Sequence, residues 1–333
     1  MRLNYKQIIY SNKGGFLKGL AIFFLVIIII IAILLGSGYA YISYKLGNLN
    51  HIDFDESSVT VNTGISESLN GYRNIALFGL DTRQDNFSNS RSDSIIIVSI
   101  NQKTKDVKLT SIYRDTYVDI EGYGLDKITH AYAYGGPELA LSTINRNLDL
   151  NVTEFVTVNF ETVKTVVDAL NGIKLEITNA EAEQIGLSSG GTYTLDGNQA
   201  LAYARIRKID SDYQRTERIR TVLDAAFNKI KTMGISELLN FIDVVLPHIS
   251  TNISTNEIIS MAPLAVSFNI AESSGWPNDV QGYSSDAWYG VPVTLESNVS
   301  ELHEDLFGET NYTPSQTVQE INDEIINRTG YNN

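Results

Sequence analysis

The chain has 333 residues, 43% of them hydrophobic, which is enough for one large domain or two small ones with a buried core. It contains no cysteine, so thiol nucleophiles, thiolate metal sites and disulfide bonds are excluded. The formal charge of −14 argues against a protein that binds nucleic acid through a basic surface.

The first predicted element is an apolar segment over residues 19–42, which follows a basic N-terminus, residues 1–18. At about 1.5 Å per residue, a helix of this length spans the hydrocarbon core of a bilayer. The segment is longer than the apolar region of a signal peptide, which favours a retained signal-anchor over a cleaved leader. Because the preceding charges are all basic, we expect a single-pass protein of the cell membrane, with a cytoplasmic N-terminus and an extracytoplasmic domain.

A polar segment over residues 43–70 is predicted to be an extracytoplasmic linker. After it, short β-branched runs predict strands that alternate with helices. The predicted strands cover residues 74–80, 94–100, 107–113, 154–160 and 174–178, and the predicted helices cover 137–148, 161–170, 198–208, 216–233, 236–249 and 255–266. This alternation indicates the α/β class: a three-layer α/β/α domain with a central mixed sheet, over residues 71–270.

The remaining residues, 271–333, form an acidic C-terminal extension that is expected to pack on the domain or to follow it. They carry eleven acidic residues and one basic residue, Arg328. The pattern predicts an irregular chain after Ser273 and a final helix over residues 315–327.

Arginines are concentrated at a few places in this acidic chain. Eight of the twelve lie in three segments: Arg83, Arg91, Arg114, Arg205, Arg207, Arg215, Arg218 and Arg220. A guanidinium group is planar and permanently charged, and it matches phosphate oxygens bidentately. One arginine–aspartate pair would indicate a surface ion pair, but three segments at predicted strand and helix ends indicate a pyrophosphate site. Because Arg205 and Arg207 would diverge on a regular helix, we expect a helix end or an irregular turn there.

These segments, in their order, resemble the catalytic domain of the LytR-CpsA-Psr family. The similarity covers about residues 74–231 and includes NIALFGLDTR, SRSDSIIIVSIN, VKLTSIYRDTYV, LDKITHAYAYGG and LDGNQALAYARIRK. The resemblance implies a hydrophobic tunnel for a polyprenyl chain with a basic mouth for its pyrophosphate. It also implies a phosphotransferase that moves a phosphoglycopolymer, such as teichoic acid or capsular polysaccharide, from a polyprenyl-pyrophosphate carrier to a muramic acid hydroxyl of peptidoglycan.

The resemblance also implies roles for single residues. Asp81 and Asp93 correspond to the residues that hold magnesium, or manganese in its place. Those that correspond to pyrophosphate-binding residues are Arg83, Arg91, Arg114, Arg205, Arg207 and Arg215, and Asp212 is the acidic residue of that region. We add Lys127 and Arg218 as substrate-binding residues. We expect the catalytic set to be Asp93, Arg114, Asp115, Arg205 and Arg207.

Some questions stay open at this stage. Either Asp93 or Asp115 is expected to accept the proton of the attacking hydroxyl. His130 is interpreted as a structural residue. The same residues would also serve a polyprenyl-pyrophosphate pyrophosphatase that uses water as the nucleophile, and a non-catalytic lipid-sensing envelope regulator would need the arginines but no metal pair. The predicted partners are the lipid-linked glycopolymer, peptidoglycan and the membrane, and the sequence does not choose among glycopolymers.

Overall fold

A computed structural model describes residues 50–52, 55–80, 90–206, 218, 221–222, 225–226, 229, 232–254, 256–257 and 269–332. The strands in this part of the chain are β1 (Asn50–His51), β2 (Tyr72–Leu80), β3 (Ser92–Asn101), β4 (Asp106–Ile112), β5 (Tyr117–Ile120), β6 (Gly124–Lys127), β7 (Glu154–Asn159), β8 (Ile173–Ile177), β9 (Gly191–Leu195), β10 (Ser250–Thr251), β11 (Asn269–Trp276), β12 (Val280–Ser284) and β13 (Trp288–Pro292). The α-helices are α1 (Ile65–Ser68), α2 (Ile128–Leu148), α3 (Phe160–Ala169), α4 (Asn179–Gln184), α5 (Gly197–Ala204), α6 (Ile235–Val245), α7 (Leu295–Phe307) and α8 (Gln316–Thr329).

The centre of the fold is a seven-stranded sheet in the order β1-β10-β7-β2-β3-β4-β11. β2 pairs with β7 in parallel and with β3 in antiparallel orientation, and β4 pairs with β3 antiparallel and with β11 parallel. The sheet is therefore mixed, as predicted. In the described residues, three two-stranded antiparallel sheets lie outside it: β5–β6, β8–β9 and β12–β13.

Alternating side chains of β3 show why the sheet is covered on both faces. Ile95 and Ile97 belong to one buried cluster, and Ile96, Val98 and Ile100 belong to the other. The first cluster includes side chains of α2, α7 and α8, and we call these helices the α2 layer. The second includes side chains of α3, α5 and α6, which we call the α3 layer. This arrangement confirms a three-layer α/β/α domain.

The segment predicted as a linker differs from that prediction over residues 50–52 and 55–70, and its first described residues form β1 of the central sheet. Val59, Ile65 and Leu69 are buried in the α2 layer. Asn62 donates from Nδ2 to Asp149 Oδ1 at 2.6 Å. A few apolar side chains along this polar segment fill part of the core. Because their spacing matches neither a helix nor a strand, the sequence analysis did not detect them.

The predicted boundary between residues 270 and 271 falls inside β11, and the irregular chain predicted after Ser273 is wrong. β11 extends the central sheet, β12 and β13 form a hairpin, and α7 follows. Trp276 is fully buried and donates from Nε1 to Asn298 O at 3.0 Å. The final helix is confirmed as α8, whose Val318, Ile321 and Ile325 are buried. The acidic C-terminal region therefore contributes to the core of the same domain.

Helix α2 begins earlier than predicted and is interrupted where Gly135 and Gly136 adopt non-helical backbone angles. Its second half starts at Pro137, as the sequence indicates. At its C-terminal end, Asp149 has a φ of 51° and is fully buried. The Asp149 carboxylate accepts hydrogen bonds from Asn62 Nδ2, Tyr312 OH and the Ser315 backbone N–H. This one carboxylate joins the N-terminal segment, α2 and the C-terminal helices.

The predicted membrane anchor over residues 19–42 lies outside the described residues, and so does most of the predicted helix over residues 255–266. Among the helices that the structure describes, none has the length and apolar character that a membrane crossing requires.

Candidate functional site

The site is built at one end of the central sheet, where several strand ends meet. β3 begins where its antiparallel neighbours β2 and β4 end, so Ser92 pairs with Leu80 and Ile95 pairs with Ile112. Asp93 lies at the start of β3, and Arg114 and Asp115 follow directly after β4. The sequence predicted both positions at strand ends, and the antiparallel register brings them together.

Arg114 and Asp93 form an ion pair in which Arg114 Nη1 donates to Asp93 Oδ1 at 2.7 Å. The two side chains are 25% and 13% exposed, so water reaches the guanidinium but screens the pair only in part. Arg114 Nε is buried without a hydrogen bond and lies 3.5 Å from Asp115 Oδ2. The guanidinium is thus held between two carboxylates in a fixed orientation.

Asp115 is also held by Lys127, whose Nζ donates to Asp115 Oδ1 at 2.8 Å. Lys127 is the last residue of β6, and its Nζ lies 5.6 Å from the centre of the Tyr289 ring. The Asp115 carbonyl accepts from the Gly290 backbone N–H at 2.8 Å. Lys127, Asp115, Arg114 and Asp93 therefore form a continuous series of alternating charges at the sheet end, which we call the charge series.

Thr129, which the sequence analysis did not assign, fixes the strand ends that carry this series. Its hydroxyl donates to Ser92 O at 3.0 Å, and its backbone N–H donates to Arg114 O at 3.2 Å. The first turn of α2 therefore ties the start of β3 to the end of β4. Its position in the LDKITHAY segment was visible in the sequence, but its contacts depend on the tertiary fold.

Two further predicted arginines lie at element ends. Arg91 is exposed and stands just before β3. Arg205 is partly buried and caps the C-terminal end of α5, so the predicted helix end at this position is confirmed. α5 belongs to the α3 layer, whereas Lys127 stands at the start of the α2 layer, so the predicted site residues come from both sides of the sheet.

Arg218 has a structural setting that differs from the predicted substrate-binding role. Its side chain is 4% exposed, Nε donates to Glu181 Oε1 at 3.0 Å, and Nη1 donates to Ile206 O at 2.9 Å. Because it holds the backbone next to Arg205, Arg218 acts on the position of that residue. Its place in an arginine-rich run gave no signal of burial.

The Arg218–Glu181 pair gives a pH-dependent contribution to stability. Burial raises the pKa of Glu181, but hydrogen bonds from Thr178 and Arg218 outweigh burial and leave the pKa below its usual value. A lowered pKa stabilises the fold above the unfolded-state value, and the contribution disappears as pH falls through the folded-state value. We expect Glu181→Gln to cost about 2 kcal/mol at pH 7, with the deficit shrinking in urea unfolding measured towards pH 4. A deficit that is independent of pH would contradict this account.

A second polar group, missed by the sequence analysis, lies beside Lys127. Asp126 Oδ2 accepts from Tyr134 OH at 2.7 Å and is 2.8 Å from His130 Nδ1. Burial raises the pKa of Asp126, but these bonds and the Lys127 backbone N–H outweigh it and lower the pKa. The bond to Asp126 raises the pKa of Tyr134 to about 12. Asp126 is therefore ionised at neutral pH and Tyr134 keeps its proton.

A cavity of about 400 Å³ lies in the α3 layer, between the end of α3 and helix α6. Its lining mixes apolar side chains, among them Leu170, Met233 and Phe241, with the polar Lys229 and Glu237.

The model of the LytR_cpsA_psr family matches residues 42–277 of the chain. This chain belongs to the LytR-CpsA-Psr family. The match includes every residue of the charge series and ends just after β11.

Curated members of the LytR-CpsA-Psr family with similar sequences are named polyisoprenyl-teichoic acid–peptidoglycan teichoic acid transferases. TagT of Bacillus subtilis is 37% identical over 211 residues, which are 60% of this chain and 66% of TagT. TagU of Bacillus licheniformis is 41% identical over 55% of this chain and 59% of TagU. TagU of Bacillus cereus is 36% identical over 71% of this chain and 78% of TagU. The first two matches thus span less than two thirds of those relatives.

Solved structures of similar proteins share the fold. A structure of TagT bound to LIIa-WTA has a TM-score of 0.52 and 29% identity, and the comparison covers 84% of this chain and 94% of the TagT chain in that structure. A protein from Streptococcus agalactiae has a TM-score of 0.60 and 28% identity over 77% of this chain and 94% of that protein.

Several residues that the family resemblance assigns to the site lie outside the described residues: Asp81, Arg83, Arg207, Asp212 and Arg215. Among the residues with described positions, no three metal-ligating side chains come together. Asp93 does offer carboxylate oxygens, which a hard divalent cation prefers, and Oδ1 accepts the hydrogen bond from Arg114. The chemistry of Asp93 therefore fits its predicted role as one ligand of a magnesium site.

Proposed function

We propose that this chain transfers a phosphate-linked glycopolymer, a teichoic acid or a capsular polysaccharide, from a polyprenyl-pyrophosphate carrier to a hydroxyl group of peptidoglycan. The proposal is supported by the names of its relatives, which are teichoic acid transferases, and by the charge series at the end of the sheet.

The observation that carries the proposal is the position of Arg114. Two carboxylates hold its guanidinium at the sheet end, where open α/β sheets bind their ligands. A guanidinium in a fixed orientation stabilises the charge that develops on phosphoryl oxygens without reorganisation during the reaction. Arg91 stands just before β3 and Arg205 at the C-terminal end of α5, and the family resemblance assigns both to the pyrophosphate.

The proposed reaction is a displacement at the phosphorus that carries the glycopolymer. The oxygen of the acceptor hydroxyl forms a bond to this phosphorus, and the bond from phosphorus to the bridging oxygen breaks. Polyprenyl phosphate leaves as an anion that needs no proton. The hydroxyl proton passes to a carboxylate, and Asp93 and Asp115 are the candidates because both stand beside Arg114.

A magnesium or manganese ion is part of the proposal. Asp93 and Asp81 would hold it, and the ion would supply further neutralisation of the pyrophosphate charge. The residues of the chain position the substrate in either case: Arg114 binds phosphoryl oxygens, and Lys127 fixes Asp115.

The proposed location is the outer face of the cell membrane, where lipid-linked glycopolymers meet peptidoglycan. The apolar residues 19–42 would form the anchor, and the basic residues before them would keep the N-terminus in the cytoplasm. The cavity beside α6 lies in the same layer as Arg205 and is a candidate for part of the prenyl-binding path.

The test is reconstitution of the full chain in detergent with a lipid-linked pyrophosphoryl oligosaccharide, a peptidoglycan glycan oligomer and magnesium. We expect mass spectrometry to detect a sugar-phosphate adduct on the glycan. Chelation by EDTA should abolish the adduct, added magnesium should restore it, and Asp93→Asn should lower its rate at least about a hundredfold. Free phosphorylated oligosaccharide without an adduct would establish the hydrolase instead, and tight lipid binding without any product would establish a lipid sensor.

A further inference from the structure

Two exposed tyrosines beside the charge series stack on each other. The rings of Tyr123 and Tyr134 have centroids 4.4 Å apart and an angle of 14° between their planes. The residues are 57% and 41% exposed, and they are two of the four large apolar residues that stand exposed in the described part of the chain. Exposed aromatic pairs of this kind mark surfaces that bind a ligand or a partner.

Glycine-dependent turns hold both rings in place. Tyr123 lies in the β5–β6 turn between Gly122 and Gly124, whose φ angles are 81° and 76°. Tyr134 is the last residue before the non-helical break of α2 at Gly135 and Gly136. Side chains other than glycine rarely adopt the positive φ angles of Gly122, Gly124 and Gly136, so the turns next to both tyrosines depend on glycine. The hydrogen bond from Tyr134 OH to Asp126 Oδ2 also restrains the orientation of the Tyr134 ring.

Polar groups lie along one edge of this pair. Tyr134 OH donates to Asp126 Oδ2, and His130 Nδ1 bonds the same oxygen at 2.8 Å. Because a carboxylate only accepts, His130 Nδ1 carries the proton, and in the neutral ring Nε2 is an acceptor. His130 is 22% exposed, and its Nε2 has no hydrogen bond to any described residue.

We propose that Tyr123, Tyr134 and His130 form a subsite for a pyranose ring of the acceptor glycan. The apolar C–H face of the sugar would pack on the outer face of the stacked rings, and a sugar hydroxyl would donate to His130 Nε2. This proposal rests on the proposed function and adds the place where the acceptor binds.

The placement of the subsite favours the acceptor over the donor. It belongs to the β5–β6 hairpin and the first half of α2, whereas Arg205 comes from the α3 layer on the opposite side of the sheet. An in-line displacement needs the attacking hydroxyl and the leaving phosphate on opposite sides of the phosphorus.

The test uses the full chain in detergent and a matched pair of variants at Tyr123, whose hydroxyl has no hydrogen bond within the described residues. Tyr123→Phe keeps the ring, and Tyr123→Leu keeps an apolar side chain but removes the ring. Binding of a purified peptidoglycan glycan oligomer is measured by calorimetry, and KM for acceptor and donor is measured in the transfer assay. We expect Tyr123→Leu to raise the glycan Kd and the acceptor KM about tenfold, and Tyr123→Phe to change them less than about twofold.

The outcomes separate this proposal from the proposed function. Glycan binding that depends on the Tyr123 ring supports the subsite even if the chain transfers nothing, in which case only the proposed function fails. Equal glycan binding by wild type and Tyr123→Leu overturns the subsite, whether or not transfer occurs. A rise in donor KM with an unchanged acceptor KM overturns the assignment to the acceptor.

Discussion

Arg114→Ala is expected to lower the rate of glycopolymer transfer about a thousandfold, which corresponds to about 4 kcal/mol of lost transition-state stabilisation. The reason is that the Arg114 guanidinium is held between Asp93 and Asp115 and can donate to phosphoryl oxygens as charge develops on them. Arg114→Lys keeps the charge but loses the planar fork, so we expect a loss of about a hundredfold. The measurement is the initial rate of adduct formation by mass spectrometry.

The control for this prediction is Arg146→Ala. Arg146 is 23% exposed and pairs with Asp119 at 3.0 Å, so its exposure matches that of Arg114 and it also forms an ion pair with a carboxylate. The control should retain transfer within about threefold, since partly exposed ion pairs contribute little. Equal losses in the two variants would show that removal of any ion-paired arginine harms the protein. That result would contradict a specific role of Arg114 at the phosphate.

Asp149→Ala is expected to have the largest effect on stability, about 4 kcal/mol. The substitution removes the acceptor of two partly buried donors, Tyr312 OH and the Ser315 N–H, and the shortest of the hydrogen bonds that Asn62 Nδ2 donates. For a domain of this size the midpoint of thermal unfolding should fall by roughly 8–16 °C. Circular dichroism during heating measures it.

Asn171→Ala separates the two causes of that loss. Asn171 also has a positive φ, 56°, but it is exposed. Its replacement tests the cost of alanine in the left-handed region alone, about 1 kcal/mol. If both variants lost the same stability, the buried hydrogen bonds of Asp149 would contribute nothing, and our account of how it joins the N-terminal and C-terminal segments would be wrong.

Sequence reasoning predicted the mixed sheet and placed Asp93 and Arg114 at strand ends, because both predictions depend on short-range patterns. β-branched runs identify strands, and charged residues at their ends identify the edge of the sheet where ligands bind. The antiparallel register of β3 with β4 then places the two side chains within hydrogen-bond distance.

The features that sequence reasoning missed depend on contacts between distant parts of the chain. Arg218 resembles its neighbours in an arginine-rich run, yet Glu181 and the Ile206 carbonyl bury it. Leu69 stands in a polar stretch and fills the core through contacts with residues far along the sequence. The stacking of Tyr123 on Tyr134 requires both the β5–β6 turn and the break in α2, and neither has a periodic signal.

The pairing of β11 with β4 has a consequence for how the protein is made. The Tyr113 N–H, one residue before Arg114, donates to Trp276 O, so the strand end that carries the arginine is completed by a residue far along the chain. A polypeptide emerges from the ribosome N-terminus first. β11 lies in the last quarter of the chain. The sheet edge beside Asp93 and Arg114 can therefore form only after β11 has been synthesised. The strand end that carries Arg114 is thus completed only in a chain that has been synthesised beyond Trp276, so synthesis itself sets the earliest moment at which this end of the sheet is assembled.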